Sequence, residues 1–308
     1  MMTNELLFDD YGKPSVMVRV PKFYLDEVIS GALHVPHPAF VIDGAEIPEI
    51  YVSKYQNIIV DGRAYSFPYQ QPTVCVNFDE ARKACESKGK GWHLITNAEW
   101  AAIALWAKKN GTLPRGNSYY EKKEGICFDG NKVLTGSGPD SWSHDHTPQG
   151  IFDLNGNVWE WVGGLRILDG EIQVIAGNNA AKHLDQSRES SEWQPVRLKG
   201  KSVKYSDSGD GMKVTTEGSE GDWRICQFTD LTADIEVSDE IKALGLFPVD
   251  DSKQTDYFWV NLEGEKLPLR GGAWCDDVST GVFALALHCV RTVSFSDVGF
   301  RSAFVRGY

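Results

Sequence analysis

Gly150-Ile151-Phe152-Asp153-Leu154-Asn155-Gly156-Asn157-Val158-Trp159-Glu160-Trp161-Val162 decides how the rest of the chain is read. An Asn-Gly pair tolerates the positive φ of a tight turn, and here it stands between large apolar and aromatic residues. The stretch therefore predicts a turn feeding a buried strand, with two indoles supplying the buried area and a single carboxylate between them.

Upstream of this stretch lie the strongest helix signals. Asn77 stands as N-cap to Phe78-Lys88, which opens with acids, closes with lysines and stops at Gly89, as a helix dipole and a glycine C-cap require. Thr96-Asn97-Ala98-Glu99 reads as a capping box leading into WAAIALWAKKNG, with Trp100, Ile103 and Ala107 on one face and Gly111 ending the pattern. Elsewhere short β-like runs are divided by Gly, Asp, Asn and Pro: Ser15-Val20, Ile50-Tyr55, Glu171-Ile175, Ser202-Tyr205, Met212-Thr216 and Tyr257-Asn261. Two helices near the front and many short strands behind predict an α+β domain rich in irregular structure, without alternating βαβ units. No internal repeat is visible.

The composition of the 308 residues, 42% hydrophobic and 24% charged, excludes disorder, collagen and coiled coil. One large domain or two small ones both fit this length. Against 31 Lys and Arg stand 43 Asp and Glu, a net charge of −12. No basic block could neutralise a run of phosphates, which argues against nucleic-acid binding. Met1-Asp10 is polar and acidic where a signal peptide is basic and then apolar, and no apolar run is long enough to insert in a membrane, so the expectation is a chain made in the cytoplasm without a signal peptide. The six cysteines, Cys75, Cys85, Cys127, Cys226, Cys275 and Cys289, are scattered and read as free thiols. Ser143-His144-Asp145-His146 lacks a third ligand nearby and reads as a solvated turn, not a metal site.

The segment from Gly150 resembles the G-(L/I)-x-D-x-x-G-N-V-W-E-W signature of the formylglycine-generating-enzyme superfamily (the sulfatase-modifying factors), a branch of the C-type lectin fold. Phe78-Trp100 is similar to that family's paired helices. Leu269-Arg270-Gly271-Gly272-Ala273-Trp274 with Val298-Gly299-Phe300-Arg301 resembles its closing strands. Order and spacing agree over roughly 230 residues, which is what gives short motifs their weight. The resemblance implies a single C-type-lectin-like domain over residues 1–308, with an insertion at 165–268 of about a hundred residues, well beyond a usual connecting loop.

Some members of the family are enzymes, so the resemblance makes a metal- or oxygen-dependent modifying enzyme the alternative reading. Formylglycine-generating enzymes hold copper between two thiolates in a C-x4-C arrangement after the RGGxW strand. Here Cys275 follows Trp274, but the partner position falls near Gly281 and the next thiol is Cys289. No H-x3-H constellation offers an iron site, so no catalytic residue is expected and no cofactor is required. The resemblance also implies a structural calcium held by Asn155, Gly156, Val158 and Glu160. The other reading of Glu160 is that it pairs with a buried arginine or a backbone amide.

The C-terminal composition is anomalous. After Lys266 there is no Lys, Glu, Gln or Met. Randomising the adenines of AAC or AAT codons yields NNY codons, which never encode those residues or a stop. Ala273, Cys275, Asp276, Ala286, His288, Cys289, Val293, Phe295 and Asp297 fall within that repertoire, between residues such as Gly271, Gly272, Trp274 and Gly299-Phe300-Arg301. Residues 270–304 thus resemble the variable region of proteins diversified by a retroelement, whose C-type lectin scaffold carries changeable side chains. That resemblance implies a non-enzymatic binder of a protein or cell-surface receptor, displayed by a phage or prophage and associated with a virion or tail, the ligand-binding residues being those nine positions. It predicts Trp159, Trp161, Trp274 and Phe300 mostly buried, and Ala273, Cys275, His288, Phe295 and Asp297 exposed on one face. Oligomerisation would add avidity, but no heptad or interface stripe marks it.

Overall fold

The computed structural model describes residues 2–118, 128, 129, 131–207, 209–252 and 254–308; Cys127 lies outside them. The helix capped by Asn77 forms as Phe78–Glu86, and the one capped by Thr96 as Asn97–Lys109. In both, the cap oxygen accepts from the backbone N–H three residues on, and the glutamate there accepts from the cap's own N–H. Two short helices, Leu25–Val28 and Asp239–Ala243, join them. The Asn97–Lys109 helix does not present one apolar stripe. Every residue from Asn97 to Leu105 is buried, because its alanines let neighbours approach from all sides. Those neighbours are the two short helices, Pro38–Phe40 and the strand Gly281–Cys289.

A five-stranded antiparallel sheet runs in the order Thr3–Phe8, Pro14–Pro21, Glu49–Ser53, Ser302–Phe304, Trp92–Leu94. The last strand of the chain is therefore an inner strand, its Ala303 paired with Val52 on one side and His93 on the other.

The larger sheet begins with Trp223–Gln227 at its edge, then Tyr257–Asn261, Gly281–Cys289, Glu265–Gly271, Leu165–Leu168, Glu171–Val174, Lys204–Asp207, Met212–Thr215 and Thr232–Ala233. Trp159–Trp161 lies antiparallel to Glu265–Gly271 and parallel to Val298–Phe300. The stretch 165–268 supplies strands on both sides of Gly281–Cys289 and Glu265–Gly271. Tyr257–Asn261 runs parallel beside the former, and Leu165–Leu168 pairs with the latter.

Arg270 fastens this stretch to the rest. Its buried guanidinium donates to Asn97 Oδ1 at 2.7 and 3.0 Å and to the carbonyls of Leu244 and Gly245 at 3.2 and 3.1 Å. The Ser143–His146 turn departs from expectation. His144 is fully buried beside Trp106, its Nδ1 accepting from the Ile151 N–H at 2.9 Å, while Asp145 is half-buried and His146 is exposed. Burial pushes the His144 imidazole down to about 4, so it folds as the neutral ring.

Candidate binding surface

The Asn-Gly turn forms as the sequence predicts, with positive φ at Asp153, Gly156 and Asn157. A Cβ on Gly156 would come within 2.2 Å of the Asn117 carbonyl, so glycine is obligatory there. The strand that follows delivers Glu160 into the core, where both carboxylate oxygens accept from the Arg301 guanidinium at 2.6 Å. Arg301 also donates to the carbonyls of Ser53, Phe152 and Asp153. Motif and C-terminal strand are thus joined by a bidentate ion pair with almost no solvent contact.

That pairing bears on calcium. The Gln56 amide nitrogen donates to Glu160 Oε1 at 3.0 Å and to the Val158 carbonyl at 3.1 Å, and lies 3.5 Å from the Gly156 carbonyl. Asn155 turns elsewhere and donates to the Pro114 carbonyl. A neutral amide occupies the place where Gly156, Val158 and Glu160 converge, and a guanidinium takes the remaining charge. This donor set does not fit a hard cation, which needs those oxygens unshared.

The C-terminal positions separate by depth. Ala273, Ala286 and Cys289 are buried, contrary to the expected exposure of Ala273. Ala286 pairs with Trp259 across the parallel ladder, and Ala273 sits where Gly271 and Gly272 turn the chain into the cluster formed by Trp159, Trp161 and Phe300. Both lie buried in the same cluster as Trp159 and Trp161. Cys275, Asp276, His288, Val293 and Asp297 are half-buried, and Phe295 alone is well exposed, at 55%. Trp159, Trp161 and Phe300 are buried as predicted, while Trp274 is half-buried.

The positions nevertheless gather in one region. Cys275 and Val293 pack on the cluster that contains Ala273, Ala286 and Cys289. The Ala273 N–H donates to Asp276 Oδ2 at 2.9 Å, and Cys275 Sγ faces Asp297 Oδ2 at 3.7 Å. His288 meets the edge of Trp223 at 4.9 Å.

The electrostatics of Cys275 oppose thiolate chemistry. Burial, with Asp276 and Asp297 adding like charge, pushes its thiol up to about 12. Cys289 is pushed to about 12 as well, chiefly by burial. Among the described residues no group of three or more His, Cys, Asp or Glu is placed to hold a metal ion.

A family model described as the sulfatase-modifying factor enzyme 1-like domain matches residues 9–202. The chain belongs to that family. Its α+β fold, with four α-helices among many short strands in the described residues and Thr3–Phe8 and Ser302–Phe304 sharing one sheet, is the formylglycine-generating-enzyme-like form of the C-type lectin fold. Among curated relatives, the inactive C-alpha-formylglycine-generating enzyme 2 of Bos taurus is 30% identical over 127 residues, 36% of this chain and 42% of that protein. The Mus musculus protein of the same name is 28% identical over 127 residues, 36% of this chain and 41% of its own length. The chain thus spans about two fifths of these relatives. Similar solved structures are PvdO from Pseudomonas aeruginosa, 15% identical with a TM-score of 0.45 and 98% of each chain covered, and Treponema denticola variable protein 1, 14% identical with a TM-score of 0.38 and the same coverage. The Major Tropism Determinant P3c variant is 10% identical, with a TM-score of 0.34, covering 99% of this chain and 72% of that one.

The aromatic surround was not found from the sequence of this sulfatase-modifying-factor-like chain. Trp259 meets Trp159 edge-on at 5.2 Å and lies 5.7 Å from Tyr257, and Trp223 and Ile225 stand exposed on the neighbouring edge strand. Tyr257–Asn261 is legible as a strand, but its place beside Gly281–Cys289 is a long-range pairing that no local pattern encodes.

Proposed function

We propose that this chain is a non-catalytic binding protein whose C-terminal surface is diversified by a retroelement and presented to a protein or cell-surface receptor. The observation that carries the reading is the absence of Lys, Glu, Gln and Met after Lys266, joined to the gathering of the adenine-accessible positions around one aromatic cluster. Their depth divides the work. Cys275, Asp276, His288, Val293, Phe295 and Asp297 form the contact surface, and Ala273, Ala286 and Cys289 set the shape beneath it.

Aromatic side chains at the border, Trp223, Tyr257 and Trp259, bring large contact area at low entropic cost, as binding surfaces favour. The inactive curated relatives and the raised Cys275 thiol support the absence of catalysis. We assign display to a phage or prophage particle. No described helix is long and apolar enough to cross a membrane.

The test is the DNA flanking the gene. A near-copy of its last hundred or so bases beside a reverse transcriptase, differing only at template adenines that map onto Ala273–Asp297, is the expected result. No such copy, together with copper-dependent oxygen consumption on a cysteine-containing peptide that Cys275→Ser abolishes, would turn the assignment to a modifying enzyme.

A further inference from the structure

A cleft opens at the start of the strand Gly281–Cys289. It encloses about 310 Å³ and is lined by Leu113, Pro114, Asn155, Gln254, Asp256 and Val282, among others. Two buried polar atoms in its wall lack the partners that such groups normally have, and a buried carboxylate beside them has a single donor. Asn155 Oδ1 is buried with no hydrogen bond, and its orientation is fixed because the same amide donates to the Pro114 carbonyl at 2.9 Å. Gln254 Nε2 is likewise buried and unpartnered. Asp256 is 7% exposed, has one backbone donor, the Phe283 N–H at 3.2 Å, and among the described residues faces no cationic side chain at ion-pair distance. Two described basic groups whose charge reaches Asp256 are engaged elsewhere, Lys108 with Asp250 and Arg270 with Asn97 and two carbonyls.

The glycine at 281 belongs to the same arrangement, since a Cβ there would fall 1.6 Å from Asp256 Oδ1. Packing the carboxylate against bare backbone keeps it in the cleft wall. Burial raises it to about 7, a cost that a cation in the cleft would relieve.

We propose that this cleft binds a small primary ammonium that also carries a neutral oxygen acceptor. The ammonium donates to Asp256 and Asn155 Oδ1, the ligand oxygen accepts from Gln254 Nε2, and an apolar stem lies against Leu113, Pro114 and Val282. A free amino alcohol has this chemistry, and so does the first residue of a peptide, whose α-ammonium stands beside a neutral carbonyl. A free amino acid does not, because its carboxylate would face the Asp256 carboxylate across the cleft.

Calorimetric titration of the full chain tests the assignment with L-leucinol, L-leucinamide, L-leucyl-glycinamide, N-acetyl-L-leucinamide and L-leucine. Saturable binding of leucinol or leucinamide is expected, weakened at least tenfold by N-acetylation and by Asp256→Asn, with L-leucine much weaker than its amide. Binding of leucyl-glycinamide as tight as leucinamide identifies a peptide N-terminus as the source; rejection of the dipeptide identifies the free amino alcohol. Should Asp256→Asn fail to fold, Gln254→Met carries the test, with a several-fold loss expected for leucinol and leucinamide. No saturable heat with any amine, or equal affinity for N-acetyl-leucinamide and leucinamide, overturns the assignment.

Discussion

At the scale of single residues, the Glu160–Arg301 pair and the Ala286 methyl make opposite demands on neighbouring parts of one core. Two charges with almost no solvent contact persist only while each has the other. Arg301→Met leaves the Glu160 carboxylate buried with one amide donor, and a loss of about 3–5 kcal/mol in urea unfolding is expected. Ala286 is limited by volume. Ala286→Phe drives a ring into the space held by Trp259 and should cost about 1–3 kcal/mol, whereas exposed Phe295→Ser should stay within about 0.5 kcal/mol. Equal costs at positions 286 and 295 in the same denaturation series would contradict the division by depth. The sequence already placed Glu160 between buried tryptophans and named an arginine as one candidate partner. It could not show that Ala273 and Ala286 are buried, because a small side chain has the same composition whether it faces water or a wall.

At the scale of elements, both longer helices start where their caps announce them, since a capping box is a local arrangement complete within four residues. Thr96 does more than cap. Its hydroxyl also donates to Asn178 Oδ1 at 2.7 Å, and Asn178 in turn donates to Glu99. Thr96→Ala is therefore expected to cost about 2 kcal/mol, the upper end for a cap, read as a shift in the denaturation midpoint with an unchanged slope. The strand Trp159–Trp161 depends on its side chains more than on its length. Trp159→Ala removes an indole that packs edge-on against Trp259 and should cost about 3–5 kcal/mol. The strands were legible as alternating runs bounded by turn residues, and their order was not. Tyr257–Asn261 reaches Gly281–Cys289 only by a parallel pairing, and Trp223–Gln227 reaches it through Tyr257–Asn261.

At the scale of the whole molecule, titrating groups buried in different places act on stability with different signs. Asp256 has a folded value of about 7 against an ordinary 3.8, so its contribution is fully present below 3.8 and is lost as pH rises through 7. His37 and His144, both depressed to about 4 by burial, stabilise above 6.5 and lose that contribution as pH falls through 4. Asp256→Asn should therefore gain on its parent by a few kcal/mol between pH 4 and 8 in parallel urea titrations, with little difference at the acid end. The cleft beside Asp256 was invisible in the sequence because Leu113, Asn155, Gln254 and Gly281 meet only in the folded chain. The placement of Ser302–Phe304 inside the five-stranded sheet makes the fold intolerant of truncation. A frameshift or a premature stop anywhere between Arg270 and Phe300 deletes both that inner strand and the arginine clamped to Glu160. Folding then works as a proofreader: a message read out of frame before Arg301 can neither complete the five-stranded sheet nor neutralise Glu160.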